Sequence, residues 1–234
     1  MARLGALSPA SRLAINKNEM RTNPMSKQRI IVFSPPFVIL IAAIVIRLAQ
    51  APLGVWAWVP WILVYWALMG FLVLWGGGRQ SIKRWMGRPQ GKWMWSALAI
   101  LLVLPSLSMF IASWRLLLPV TVWIPWLIVG LVNPFVEEWY WRGLLLDNTM
   151  AWPTWAVIGI SSALFSLNHL LGIGATSIGG RHPILLVNAL VLGIVFGVIY
   201  KKTNSLRWPI VAHAIADLLG LSVAVFLNLW VPPG

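Results

Sequence analysis

Residues 121–147, TVWIPWLIVGLVNPFVEEWYWRGLLLD, decide what kind of protein this is. Positions 121–136 carry no charge; Glu137, Glu138 and Arg142 then arrive together before Leu144-Leu145-Leu146 resumes the apolar run. The stretch is longer than the roughly 20 residues that cross a bilayer as a helix. An aspartate, lysine or arginine at the centre of such a helix costs about 2.5–3.5 kcal/mol, and a leucine returns only about 0.3–0.6 kcal/mol. Three ionised groups acting alone would cost on the order of 8–10 kcal/mol, and the apolar residues before them offset about half of that. The cluster is therefore expected to be paired, hydrated or both, and such a cluster is a functional-site candidate. Glu138 and Arg142 stand at i and i+4 with the acid first, the better orientation for a pair on one helix face. Glu137 lies about 100° around the helix, which leaves its carboxylate free to act as a general base. A plain ion pair near a membrane interface is the alternative.

The rest of the chain fits this setting. Of 234 residues, 59% are hydrophobic and 10% charged, and the mean hydropathy is +0.81. A soluble domain has roughly 45–50% apolar and about 25% charged residues, so this chain cannot cover itself with polar surface. It reads as an all-α, polytopic transmembrane helical bundle. Seven apolar stretches are long enough to span: 31–49, 55–76, 93–113, 121–147, 153–172, 183–200 and 208–230. Many of the 17 tryptophans mark their ends, as an amphipathic indole at headgroup level does. Cysteine is absent, which excludes disulfides and thiolate chemistry.

The net charge of +13 is a matter of topology. The N-terminal segment, the loop after the second span (Arg79, Lys83, Arg84, Arg88, Lys92) and the loop after the sixth (Lys201, Lys202, Arg207) hold fourteen of the 18 basic residues. These are alternate loops, so the N terminus is expected in the cytoplasm and the basic face against anionic lipid, with no nucleic-acid role. Residues 1–29 are expected to form a basic, disordered cytoplasmic tail, and 30–234 the bundle. Within that tail, residues 1–24 precede Met25, an alternative start. Ala49-Gln50-Ala51 mimics a signal-peptidase site, but the leader is long and more spans follow, so the first span is expected to stay attached.

Only five acids and three histidines occur. His169 closes Phe165-Ser166-Leu167-Asn168-His169, where Phe165 is one turn back and can fix the ring. His213 and Asp217 again stand at i and i+4 in an apolar helix, so the carboxylate can accept from the imidazole and set its tautomer. Gly193 and Gly197 form a GxxxG expected to be a close-packing face. No GxSxG or HExxH is present, which argues against a serine-elbow hydrolase or a zincin.

Glu137-Glu138-Trp139-Tyr140-Trp141-Arg142, Phe165 to His169 and His213 to Asp217, in that order on successive helices, resemble the EExxxR, FxxxH and HxxxN/D motifs of the CPBP family. These are CAAX-protease and bacteriocin-processing intramembrane proteases related to Rce1, and the resemblance covers residues 120–225. It implies peptide-bond hydrolysis in a wet cavity of an integral protein, most simply in a bacterial inner membrane, acting on a membrane-associated protein or peptide. By that analogy Glu137 is the general base with His169, Glu138 and Arg142 hold the helix, and His213 donates to the oxyanion with Asp217 assisting. No cofactor is implied; a zinc site of Glu137, His169 and His213 is the minority alternative. Two other readings compete: a non-enzymatic scaffold or immunity protein, and a proton-coupled transporter. Two features depart from the pattern. An ionised Asp217 cannot donate as asparagine does. Counting from the loops also places Glu137 toward the cytoplasmic half and His169 toward the outer end, so they meet only if their helices are offset or tilted.

Overall fold

A computed structural model describes residues 24–149 and 151–232. The expected tail lies outside the described residues up to position 23; from Pro24 the chain is helical. Among the described residues every regular element is a helix.

Helix α1 (Pro24–Leu53) ends at Gly54, whose φ of 55° suits a residue without a Cβ. A single 3₁₀ turn, Gly54–Ala57, leads into α2 (Trp58–Gly76). Together they fill the first apolar run, Lys27–Gly76, where spans 31–49 and 55–76 were expected. Four more helical runs are long and apolar enough to cross a membrane: Met94–Leu117, Val120–Asn148, Thr154–Ala175 and Pro183–Thr203. The loop after α2 contains a short basic helix, α3 (Gly78–Trp85). Met94–Leu117 is broken near Pro105 into α4 (Met94–Val103) and α5 (Ser106–Ser113), because proline cannot donate to the preceding turn.

Helix α6 (Val120–Glu137) passes without a break through a π-helical turn, Glu138–Leu144, into α7 (Leu145–Asn148). Then follow α8 (Thr154–Leu171), α9 (Pro183–Thr203), α10 (Arg207–Leu219) and α11 (Ser222–Phe226). The seventh expected span, 208–230, is thus not one helix. Gly220 ends α10 and Leu221 turns left-handed at φ 53°, so α10 is too short to count as a span and α11 folds back into the core.

The large exposed side chains are mostly apolar, among them Phe33, Leu48, Leu101 and Trp155, as a lipid-facing surface requires. The chain is an integral membrane protein. Helix α9 packs along α8 through the two glycines of the GxxxG. A Cβ on Gly193 would lie 2.8 Å from Ser162 Cβ and 3.0 Å from Arg142 Nη2, and one on Gly197 3.1 Å from Ile158. Gly193→Ala should therefore push α9 off α8 and destabilise the protein by about 1–3 kcal/mol, seen as a lower melting temperature in detergent. An unchanged melt would show that the two helices part without cost.

Candidate active site

The π turn begins at Glu138, and such single turns within α-helices occur frequently at functional sites. All three acidic and basic side chains of this segment are buried: Glu137 is 2%, Glu138 0% and Arg142 1% exposed. Arg142 Nη1 donates to Glu138 Oε1 at 3.0 Å, so the i, i+4 pair forms. The same oxygen accepts from His213 Nδ1 at 2.8 Å. The imidazole tautomer is therefore set by Glu138 across the helix interface. Asp217, expected in that role, is 3.7 Å from His213 Nε2, beyond hydrogen-bond distance.

Glu137 has one partner on each oxygen. Tyr65 of α2 donates its hydroxyl to Oε1 at 2.9 Å, and Asn133 Nδ2, one turn earlier in α6, donates to Oε2 at 2.9 Å. His213 Nε2 lies 3.4 Å from Oε2. Tyr65 in turn accepts from Trp141 Nε1 at 2.9 Å. An indole N–H only donates, so the Tyr65 proton must point at Glu137.

His169 Nδ1 pairs with the Phe165 carbonyl at 2.9 Å, which leaves Nε2 toward the cavity. Phe165 meets the His169 ring edge-on at 4.6 Å, the packing expected from the sequence, and also touches His213 at 6.1 Å. The Arg142 guanidinium sits 4.2 Å over the same phenyl ring, a cation–π contact. One aromatic ring thus packs against both imidazoles and the arginine.

Glu137, His169, His213 and Asp217 all line one cavity of about 480 Å³. The different membrane depths expected for Glu137 and His169 do not keep them apart. Glu137 stands 11 residues before Asn148, the end of its run, and His169 15 residues into the returning α8. At about 1.5 Å per residue the offset is roughly 6 Å, which side chains bridge. Tyr200 donates to Asp147 Oδ1 at 2.7 Å, bringing the ends of α7 and α9 to one level. The remaining wall is mainly apolar, including Ile62, Val103, Met109, Leu192 and Phe196.

Three contributors carried little sequence signal: Tyr65, Asn133, and Trp66, whose Nε1 donates to Asn133 Oδ1 at 2.9 Å. Asn133 had one, as a lone amide one turn before Glu137 in an apolar helix. Tyr65 and Trp66 sit among ordinary apolar neighbours. Glu138 Oε2 and Arg142 Nη2 are buried without a hydrogen-bond partner in the protein, sites that ordered water would satisfy. Among the described residues, no three His, Asp or Glu side chains are disposed around one metal position.

Residues 119–219 match the family model described as type II CAAX prenyl endopeptidase Rce1-like. This segment is similar to the Rce1-like family. The matched segment holds every residue of the three motifs, from Glu137 to Asp217, together with Asn133. Neither a curated protein nor a solved structure matches the chain significantly.

Proposed function

We propose that the chain is an intramembrane endopeptidase that hydrolyses a peptide bond of a membrane-associated protein or peptide, with Glu137 as the general base. The observation that carries this reading is the convergence of Glu137, His169 and His213 from three helices on one cavity. A water held in the cavity between Glu137 and His169 Nε2 would have two acceptors; as it attacks the carbonyl its proton passes to the carboxylate. The oxyanion then needs a donor fixed before reaction. His213 supplies it from Nε2 as the imidazolium, whose other N–H, on Nδ1, is anchored on Glu138. Asp217, 3.7 Å from the same Nε2, balances the charge of that imidazolium. The base then returns its proton to the leaving amine, so both products depart neutral at the cut and no covalent enzyme intermediate forms.

The hydrolysis needs no metal in this reading. Incubation of the purified protein with a strong chelator should leave cleavage unchanged, and metal analysis should find no stoichiometric zinc. Zinc lost together with activity would overturn the metal-free scheme. The positive-inside bias supports a bacterial inner membrane with the basic loops in the cytoplasm on anionic headgroups.

Terminal proteomics on membranes of cells making either the natural chain or Glu137→Gln tests the function. New peptide termini present only with the natural chain are expected, and their sequences name the substrate. Identical sets of termini would leave the protein without hydrolytic activity.

A further inference from the structure

Asn133 belongs to none of the three motifs, yet it touches two of them. Its Nδ2 donates to Glu137 Oε2 at 2.9 Å and to Asp217 Oδ2 at 3.2 Å. The amide orientation, ordinarily a matter of assignment, is fixed here by chemistry. Trp66 Nε1 lies 2.9 Å from the other end of the amide, and an indole N–H has nothing to accept with. The atom facing Trp66 is therefore the carbonyl oxygen, and the NH₂ group faces the carboxylates with one hydrogen for each. Without that amide, the two carboxylates would stand 3.4 and 3.7 Å from His213 Nε2 with no neutral donor bridging them.

The backbone around Asn133 serves the same juxtaposition. One turn back, Gly130 has no side chain where a Cβ would meet Leu218 Cδ2 at 2.4 Å and Cγ at 2.7 Å. One turn further back, Trp126 Nε1 donates to the Leu218 carbonyl at 3.0 Å. Trp126, Gly130 and Asn133 thus dock the end of α10 on α6, with Asp217 beside Glu137.

We propose that Asn133, aimed by Trp66, is a positioning residue that holds Glu137 and Asp217 as one hydrogen-bonded pair and so fixes the face Glu137 turns to the attacking water. This rests on the hydrolytic reading above. Asn133 touches no substrate; it acts through Glu137. The other charged or titratable groups around the pair are Tyr65 from α2, Glu138 and Arg142 from the π turn, His169 from α8 and His213 from α10.

The test measures appearance of the Glu137-dependent peptide terminus in isolated membranes, across pH, for Asn133→Leu, Asn133→Asp, Trp66→Phe, Asp217→Asn and the exchange Asn133→Asp with Asp217→Asn. Asn133→Leu and Asn133→Asp should each lower the rate by about 10²-fold, the scale of a misplaced reacting group. Trp66→Phe, which frees the amide to turn, should cost about 10-fold. Asn133→Asp adds a third carboxylate and should move the acid limb of the rate profile to higher pH. The exchange puts the amide at 217, outside the contact between residue 133 and Glu137, and should stay as impaired as Asn133→Asp alone. A rate and pH profile untouched by Asn133→Leu, or an exchange that recovers the natural rate, overturns the positioning role. Glu137→Gln run alongside separates the two claims: activity kept there overturns the hydrolytic scheme and this role with it. Activity lost there, but kept in the Asn133 variants, overturns this role alone.

Discussion

Glu137→Gln should lower the rate of substrate cleavage by about 10²–10⁴-fold, the usual worth of a positioned general base, while the chain stays folded. The change keeps size and shape but removes the proton acceptor. Its structural cost is small and can be located. Tyr65 and Asn133 each donate to a different oxygen of Glu137, and a glutamine offers one oxygen and one donor. Its carbonyl can satisfy Tyr65, which leaves its NH₂ facing the NH₂ of Asn133, or the reverse. One unmatched pair costs on the order of 1–3 kcal/mol, so the melting temperature should fall by a few degrees without loss of helix content. Cleavage rates in proteoliposomes, set beside a thermal melt of the same preparation, separate the two effects. Retention of more than about a tenth of the natural rate would remove Glu137 from the role of base. His169, the other acceptor in the cavity, would then be the group to test.

The sequence showed this much because charge inside a membrane helix is costly and therefore conspicuous. Glu137, Glu138, Arg142, His169, His213 and Asp217 could be picked out of an apolar chain, and all six fall within residues 119–219, the segment that matches the family model. The same logic could not see partners that cost little to bury. Tyr65 and Trp66 sit in Ile62-Leu63-Val64-Tyr65-Trp66-Ala67, where aromatic residues are unremarkable in a chain with 17 tryptophans. Their value comes from donor groups whose targets are 67 to 72 residues away in sequence. The helix breaks were equally hidden. An apolar run at 208–230 satisfies any length criterion, but the left-handed Leu221 after Gly220 divides it, and what α11 gains by folding into the core appears only in three dimensions. That Glu138 and not Asp217 anchors His213 has the same origin. Spacing on one helix paired His213 with Asp217, whereas the closer acceptor comes from the neighbouring helix, whose rotation spacing does not record.

Arg142→Met should be the most destabilising single change in the site. Glu138 is fully buried and its Oε1 depends on Arg142 at 3.0 Å and His213 at 2.8 Å. Removing the guanidinium leaves a buried carboxylate short of its cation, a loss of about 3–5 kcal/mol, and also the cation–π contact with Phe165 at 4.2 Å. Because Phe165 packs against both His169 and His213, cleavage should fall along with the melt. A double variant, Glu138→Met with Arg142→Met, separates charge from architecture. Replacing both members of a buried pair with apolar side chains is often neutral or stabilising by about 1–4 kcal/mol, so the double variant should melt well above Arg142→Met. Full recovery is not expected, since His213 Nδ1 loses its acceptor at a cost of about 1–3 kcal/mol. Cleavage should stay lost, because nothing then fixes the ring that turns Nε2 to the oxyanion. A double variant that is both stable and active would mean that Glu138 and Arg142 only balance each other, and that His213 is held by packing against Phe165 and Phe196 alone.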